Sequence, residues 1–313
     1  MMISIVIPVL NEEGLIEELY NQTAAALNTI TSDWEVICVN DGSNDSTLSR
    51  LVSIHEKDQR WKIISLSKNF GHQPAIWAGL NYAQGDYIGI MDGDLQDDPA
   101  HFSKFIKELS PSVDIVYAVR TKRKENFFKR TAYRSFYRLM KNVLGVKVPL
   151  DSGDFCLMKK KVVHEMLTMP EHSLFIRGIR SWVGFNQLGI PCERNERFNG
   201  KPKYSTRKLM KLAYDGMFSF SDFPIKFLGR LGFVIILASM AYAGYIITKR
   251  LMWGQVPEGF TTLIIVILFF GGVQLVTVRI LGEYLLRIYN ESRKRPLYII
   301  SNKYGDLKIP ANK

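Results

Sequence analysis

The sequence predicts an α/β domain built on a parallel sheet, followed by a membrane-anchoring helical region. In the first half, short apolar runs alternate with amphipathic helical segments, as in a parallel sheet that helices cover on both faces. Two acidic motifs directly follow predicted strands, and two long uncharged runs occupy the second half. At 313 residues, the chain is long enough for one or two domains.

The predicted strands are short runs rich in β-branched and aromatic residues. They are Ile3–Val9, Glu35–Asn40, Lys62–Leu66, Tyr87–Met91 and Asp114–Val119. Helical segments such as Glu12–Ile30 and Ala100–Leu109 lie between them. Pro8 interrupts the first run and no basic residue precedes it, so we interpret this run as a buried strand and not as a signal peptide.

Two uncharged runs in the second half are long enough to cross a membrane. Leu231–Thr248 has 18 residues and Gly259–Val278 has 20, and a helix needs about 20 residues to cross the hydrocarbon core. We therefore expect two transmembrane helices joined by a short connection. The alternative is two buried helices of a large soluble core.

Basic residues flank this pair of predicted helices on its outer sides. Lys226 and Arg230 precede the first, whereas five basic residues follow the second: Arg279, Arg287, Arg293, Lys294 and Arg295. The positive-inside rule then places the N-terminal domain and both termini in the cytoplasm. The net charge of +11 also suggests an anionic partner, and its position beside apolar helices favours a membrane surface over nucleic acid.

These patterns divide the chain into four parts. We expect an N-terminal domain over residues 1–204, juxtamembrane interface helices over 205–230, two transmembrane helices over 231–292 and a cytoplasmic tail over 293–313. Leu297–Ile300 in the tail is a candidate strand that could pair with the sheet edge of a neighbouring subunit. A homo-oligomer such as a tetramer would fit this hypothesis.

Several common classes of site are absent from the sequence. Cys38, Cys156 and Cys192 are dispersed, which indicates reduced cysteines without a disulfide framework or zinc spacing. No Gly-x-Gly-x-x-Gly follows the first predicted strand, and no Gly-Lys-Ser/Thr loop occurs. A nicotinamide-dependent dehydrogenase and a P-loop NTPase are therefore disfavoured.

The triplet Asp92-Gly93-Asp94 follows an apolar strand and is the strongest candidate for a metal site. Two carboxylates two residues apart at a strand end can converge on Mg²⁺ or Mn²⁺, which prefer oxygen ligands and often share them with substrate phosphates. Gln96 adds a carbonyl oxygen. The alternative is a solvated turn.

Polar residues at the ends of the first two predicted strands are candidates for nucleotide binding. Asp41 either caps a turn or accepts a hydrogen bond from a nucleotide base. Pro8 stands near the end of the first strand, Asn11 can cap the following helix, and Glu12 could face the nucleotide.

Four motifs together resemble the family-2 inverting glycosyltransferases. They are Pro8-Val9-Leu10-Asn11-Glu12-Glu13, Asn40-Asp41-Gly42-Ser43, Asn69-Phe70-Gly71-His72-Gln73 and Asp92-Gly93-Asp94-Leu95-Gln96-Asp97. More narrowly, the chain is similar to the polyprenyl-phosphate glycosyltransferases, which include bactoprenol glucosyltransferases and dolichol-phosphate mannose synthases. The resemblance runs in order from Ile3 to about Arg295.

This resemblance implies a GT-A fold and the transfer of one sugar, with inversion, from a nucleotide-sugar such as UDP-glucose. The acceptor would be polyprenyl (undecaprenyl) phosphate at the cytoplasmic face of a bacterial inner membrane. The implied site residues fall into two groups. Pro8, Glu12 and Asp41 would line the nucleotide pocket, and Asp92, Asp94 and Gln96 would hold Mg²⁺ or Mn²⁺.

The resemblance also implies roles in the rest of the site. Asp154 would lie near the transferred sugar, in a stretch that we expect between the sheet and a later helix; its alternative role is a structural cap. Because a phosphate acceptor is already ionised at neutral pH, Asp154 need not act as a base. Arg197 and Lys203 belong to a basic loop that would close over the donor diphosphate, although Pro202 replaces the usual serine.

A basic amphipathic segment is a candidate for contact with the acceptor. Phe127–Leu144 carries arginines every four residues opposite an apolar face, which suits a helix in the membrane interface or an ordinary surface helix. We expect Arg120, after the fifth strand, and Arg134, in this segment, to position the acceptor phosphate.

Two other classes of function remain open from the sequence. A processive polysaccharide synthase usually carries a Gln-x-x-Arg-Trp motif and more spans, but the stretch Arg177–Trp182 lacks the glutamine. A non-catalytic membrane scaffold or a nucleic-acid binder would leave the acidic triplet without a role. The donor sugar is also open among glucose, mannose and an aminosugar.

Overall fold

The computed structural model describes residues 1–120, 152–169, 174–193, 223–253 and 259–308. The described residues up to 193, together with 295–308, belong to one compact unit, the sheet unit. The described residues from 223 to 294 belong to a second, the helical unit. Each unit is considered by itself.

The sheet unit is organised around eight strands. These are β1 (Ile3–Val9), β2 (Trp34–Asn40), β3 (Trp61–Leu66), β4 (Tyr87–Ile90), β5 (Ile115–Arg120), β6 (Ser152–Lys159), β7 (Gln187–Cys192) and β8 (Ile300–Tyr304). They form one sheet in the order β7-β5-β6-β4-β1-β2-β3-β8. The five strands expected from the sequence are all present, with ends that differ by one residue at most.

The sheet is mixed, which corrects the expectation of a parallel sheet. Strands β4, β1, β2 and β3 are parallel neighbours, but β6 runs antiparallel between β4 and β5, and β8 runs antiparallel to β3. The alternation of strands and helices continues through β5. Of the two antiparallel strands, β6 was not predicted, whereas β8 lies close to the strand expected at Leu297–Ile300.

Helices pack on both faces of this sheet. They are α1 (Ile16–Asn28), α2 (Thr47–Lys57), α3 (His72–Leu80), α4 (His101–Glu108), α5 (Lys160–Leu167) and α6 (Ile176–Trp182). Because side chains alternate along a strand, Ile5 and Ile7 join the core that includes α1, α2 and α4. Val6 joins the core on the other face, which includes α3, α5 and α6.

A buried glutamate connects several strands at their amino ends. Glu35, at the start of β2, is only 1% exposed. It accepts hydrogen bonds from the Ser4 hydroxyl at 2.6 Å and the Gln84 backbone N–H at 2.8 Å, and Lys62 Nζ lies 2.6 Å from its second oxygen. This carboxylate therefore holds together β1, β2, β3 and the segment before β4.

The helical unit contains two long helices, α7 (Phe223–Trp253) and α8 (Phe260–Ser292). Among the described residues, one stretch, Phe269–Ser292, is long and apolar enough to cross a membrane, with a mean hydropathy of 1.3. The apolar stretch of α7, Leu228–Tyr242, is shorter than this. Both predicted helices are thus present, but a second span is not confirmed.

An ion pair lies near the end of α8. Arg287 Nη2 is 3.1 Å from Glu283 Oε1, one helical turn away. Pairs at this spacing stabilise a helix modestly.

The tail strand β8 pairs with β3 of the same chain. The Ser67 backbone N–H donates to the Ile299 carbonyl at 2.9 Å, and the Ser301 hydroxyl donates to the Ser65 carbonyl at 3.0 Å. The expected strand at Leu297–Ile300 is therefore shifted to Ile300–Tyr304, and one side of it pairs within the chain. The homo-oligomer that was inferred from this strand stays a prediction.

We predict that Glu35→Ala destabilises the sheet unit, because it leaves the buried donors of Ser4, Lys62 and Gln84 without their acceptor. The expected loss is about 3 kcal/mol, or a fall in Tm of roughly 5–10 °C, measured by thermal unfolding of the full-length protein in detergent. Glu17→Ala is the control, because Glu17 and Lys57 form an exposed pair 3.8 Å apart and such pairs contribute little. Equal shifts for the two variants would contradict the role of Glu35.

Candidate active site

The loops that follow β1 and β2 are bonded to each other at the carboxyl ends of these strands. The Asn11 backbone N–H donates to Ser43 Oγ at 3.0 Å, and Asn11 Oδ1 accepts from the Asn44 N–H at 2.9 Å. Asn11 has a φ of 53°, in the left-handed region that asparagine tolerates. These contacts delay the start of α1 to Ile16, so Asn11 and Glu12 lie in a loop.

Of the predicted nucleotide residues, Pro8 precedes this loop and Glu12 lies within it. Pro8 is paired with Val39 near the end of β1, and the Glu12 backbone N–H donates to Thr47 Oγ1 at 2.9 Å. Gly93 packs directly against the end of β1, where a Cβ atom would lie 2.7 Å from Val9 Cγ1 and 3.2 Å from the Pro8 carbonyl oxygen. The acidic triplet and the end of β1 are therefore in direct contact.

Asp41 connects the end of β2 to the loop that follows β3. Its two carboxylate oxygens accept hydrogen bonds from the backbone N–H groups of Phe70 at 2.7 Å and Gly71 at 3.0 Å. Burial raises the pKa of Asp41, although these two hydrogen bonds act in the opposite direction. The structure therefore gives Asp41 a role in fixing this loop, and its contact with a nucleotide stays a prediction.

The acidic triplet follows β4, where the sequence places it. The Asp92 side chain is 25% exposed, and Asp94 Oδ1 accepts a hydrogen bond from the Gln96 backbone N–H at 3.2 Å. Among the described residues, no group of three His, Cys, Asp or Glu side chains could hold a metal ion. Two carboxylates fit Mg²⁺ or Mn²⁺ whose remaining ligands are substrate phosphates and water, but not an all-protein cage.

Asp154 lies inside β6, which corrects the expected position between the sheet and a later helix. Arg177, at the start of α6, binds it through two nitrogens: Nε is 2.8 Å from Asp154 Oδ1, and Nη2 is 3.0 Å from Oδ2. Burial alone would raise the pKa of Asp154, but the charge of Arg177 and hydrogen bonds from His72 and Arg177 hold it well below its usual range. Asp154 is thus ionised at neutral pH.

His72, the first residue of α3, lies between two carboxylates. Its Nε2 atom is 3.4 Å from Asp92 Oδ1 and 3.6 Å from Asp154 Oδ2. Burial lowers the pKa of His72, but the hydrogen bond with Asp154 and the negative charges of Asp92 and Asp154 outweigh it, so the pKa is raised. His72 therefore joins the acidic triplet to the Arg177–Asp154 pair.

Gln73, next to His72, fixes the position of α6 relative to β6. Its Oε1 accepts a hydrogen bond from the Ile176 backbone N–H at 2.8 Å, and its Nε2 lies 3.5 Å from Asp154 Oδ2. Because Ile176 immediately precedes Arg177, this amide helps to place the arginine opposite the aspartate.

The sequence did not identify His72, Gln73 and Arg177 as site residues. The first two lie in a motif that carries the family resemblance, and this motif was the available signal. The residues next to Arg177 in the sequence do not indicate its role, because its partner Asp154 is 23 residues away on β6.

The structure describes one of the four remaining predicted cations. Arg120 is the last residue of β5, whereas the sequence predicted it just after that strand. Arg134, Arg197 and Lys203 lie outside the described residues. Their proposed contacts with phosphate therefore stay predictions.

Comparison with known proteins supports one family. The model of "Glycosyl transferase family 2" matches residues 4–167. An uncharacterized glycosyltransferase from Synechocystis is 40% identical over 99% of this chain and 98% of its own length. The bactoprenol glucosyl transferase of Shigella phage SfV is 37% identical over 97% of this chain and 99% of its own. A homolog in Escherichia coli, described as a prophage bactoprenol glucosyl transferase, is 36% identical over 96% and 98%.

We predict that Asp41→Asn loosens the loop after β3, because an amide offers one acceptor oxygen where the carboxylate offers two. A hydrogen bond to a charged group contributes about 1.5–3 kcal/mol, so amide exchange at Phe70 and Gly71 should quicken about tenfold or more. Hydrogen-exchange mass spectrometry on peptides covering residues 67–75 measures this change. Asp33→Asn is the control, because Asp33 is exposed just before β2. Unchanged exchange in Asp41→Asn would refute the role of Asp41.

Proposed function

Because the chain belongs to glycosyltransferase family 2, we propose that it transfers one sugar, with inversion, from a nucleotide-sugar to a polyprenyl phosphate. Nearly full-length relatives named bactoprenol glucosyl transferase support the lipid acceptor and suggest glucose, with UDP-glucose as donor and undecaprenyl phosphate as acceptor. Mannose and an aminosugar remain alternatives for the sugar. The product would be a lipid-phosphate-linked sugar.

One observation carries this proposal: an acidic triplet at a strand end is joined through His72 to a buried Arg177–Asp154 pair. The 3.4 Å and 3.6 Å separations of His72 Nε2 from Asp92 and Asp154 bring the predicted metal ligands and the predicted sugar-side aspartate into one cluster. Sugar transfer needs both functions close together, because the bond that breaks lies between the sugar and the diphosphate.

The reaction is a direct displacement at the anomeric carbon. An oxygen of the acceptor phosphate forms the new bond to that carbon, and the bond to the nucleotide diphosphate breaks, so the electron pair leaves with the diphosphate. The acceptor phosphate is already ionised at neutral pH, so no side chain has to remove a proton from it. A divalent cation at Asp92 and Asp94, with Gln96 beside them, would offset the charge that develops on the leaving diphosphate.

Membrane attachment would bring the domain to its lipid acceptor. The apolar stretch Phe269–Ser292 of α8 supports one span, and we propose that α7 forms the second, with the sheet unit and both termini in the cytoplasm of a bacterial inner membrane. A polyprenyl chain could then stay in the bilayer while its phosphate reaches the site.

We predict that Asp92→Asn and Asp94→Asn each lower sugar transfer to undecaprenyl phosphate by about 100-fold or more, because they weaken the compensation of charge on the leaving group. The assay supplies a panel of nucleotide-sugars with Mg²⁺ or Mn²⁺ and identifies the lipid product by mass spectrometry. Calorimetry with UDP should show the same variants losing cation-dependent binding.

Asp86→Asn is the matched control for these variants. Asp86 precedes β4 at the end opposite the triplet and accepts a hydrogen bond from the Met2 backbone N–H, so transfer should stay near the wild-type rate. Full activity in both triplet variants would contradict the metal site. A polymer in place of a single sugar would favour a processive synthase.

We predict that a cysteine at position 252 reacts from the outer side of the inner membrane and one at position 306 from the cytoplasmic side. Met252, near the end of α7, is 67% exposed, and the Asp306 side chain is 72% exposed. The native cysteines are free and buried, so they should add little background. A membrane-impermeant maleimide should label Met252→Cys in intact cells but Asp306→Cys only after permeabilisation. Labelling of both from one side would exclude two spans.

A further inference from the structure

The Arg177–Asp154 pair consists of two charges with very different exposure. The Arg177 side chain is 31% exposed, whereas that of Asp154 is 4% exposed. His72, on the other side of Asp154, is 40% exposed. A ligand that arrives from solvent therefore meets the guanidinium and the imidazole before it can meet the carboxylate.

Arg177 occupies one acceptor position on each oxygen of Asp154, and two further side chains lie nearby. Its oxygens face Arg177 Nε at 2.8 Å, Arg177 Nη2 at 3.0 Å and Gln73 Nε2 at 3.5 Å, and His72 Nε2 lies 3.6 Å away. A carboxylate has about four acceptor positions. Asp154 is thus less accessible to a substrate than Arg177 is.

Arg177 is the more exposed partner of this pair, and its side chain suits a phosphate. A guanidinium carries five N–H donors in a rigid fork, which suits paired oxygens of carboxylates and phosphates. The contact with Asp154 uses its Nε and Nη2 atoms and fixes the plane of the fork. The arginine is also linked to Asp92 through Asp154 and His72, so it belongs to the same cluster as the predicted metal ligands.

We propose that Arg177 binds a phosphate group of a substrate and that Asp154 is its positioning residue. This assignment adds to the expected roles, in which Asp154 lies near the sugar and other arginines bind phosphate. It rests on the proposed function only in taking phosphate-bearing substrates as the ligands. The phosphate belongs either to the donor diphosphate or to the lipid acceptor, and binding measurements separate the two.

The test uses full-length protein in detergent and measures binding, not transfer. Calorimetry with UDP and Mg²⁺ probes the donor side, and undecaprenyl phosphate compared with undecaprenol probes the acceptor side. Arg177→Gln should weaken the binding of either UDP or undecaprenyl phosphate by about tenfold to hundredfold, because it removes a charge-assisted contact. A loss with UDP assigns Arg177 to the donor; a loss with undecaprenyl phosphate but not with undecaprenol assigns it to the acceptor.

Asp154→Asn should weaken binding of the same probe by a smaller factor, because Arg177 keeps its charge but loses the carboxylate that positions it. Arg177→Lys should bind that probe more tightly than Arg177→Gln does, because it keeps the positive charge. Arg177→Gln alone leaves a buried carboxylate without its main partner and could unfold the site. The double variant Arg177→Gln/Asp154→Asn removes both charges and keeps similar shapes. If this variant melts near the wild-type Tm and binds both probes with wild-type affinity, the proposal is overturned.

Arg60→Gln is the matched control. Arg60 makes the same two-nitrogen contact with Asp58, at 2.9 Å and 2.8 Å, but it lies just before β3, away from the carboxyl ends of the strands. It should bind both probes like wild type, and a loss equal to that of Arg177→Gln would overturn the proposal. Two outcomes distinguish this inference from the proposed function. If Arg177→Gln weakens binding but the wild-type protein transfers no sugar, only the proposed function is refuted. If the wild-type protein transfers sugar but the folded double variant binds both probes with wild-type affinity, only this inference is refuted.

Discussion

The parallel arrangement of β4, β1, β2 and β3 is the constraint on which the site depends. Parallel strands bring their carboxyl ends to one edge of the sheet, so the segments after four strands become neighbours. At this edge Asp41 holds the loop after β3, and Gly93 packs against β1. His72 then reaches Asp92 and Asp154 because α3 begins directly after the loop that Asp41 fixes. Each of these contacts in the candidate site therefore relies on backbone order set by the sheet.

A buried carboxylate lies at each end of the strands of this sheet, and the two carboxylates have different effects. At the amino ends of the strands, Glu35 has donors from β1, β3 and the segment before β4, and these are buried or partly buried, so its effect is on stability. At the site, Asp154 is equally buried, but its main partner Arg177 reaches solvent. A buried carboxylate that anchors a partly exposed cation creates a fixed positive group at the surface. The same chemistry thus stabilises the fold in one place and prepares a ligand-binding group in the other.

The elements predicted best were those with local signals. The first five strands follow from apolar runs, and the positions of Asp41, Asp92 and Asp94 follow from their places after those runs. The mixed character of the sheet was not predictable in this way, because the direction of β6 and β8 depends on pairing with strands distant in sequence. Arg177 was missed for a similar reason: its partner lies on another element, and neither residue is unusual in its local sequence.

The position of β8 has a consequence for the order in which the protein matures. Ser301 bonds to Ser65 across 236 residues, and the two long helices lie between them in the chain. During synthesis β3 therefore remains an open sheet edge until the last part of the chain has emerged, and such edges invite pairing with other chains. Contacts between segments so far apart also form slowly. The strand β8 thus covers β3 late in synthesis and becomes the outer strand of the sheet in its place, which makes β8 important for correct biogenesis.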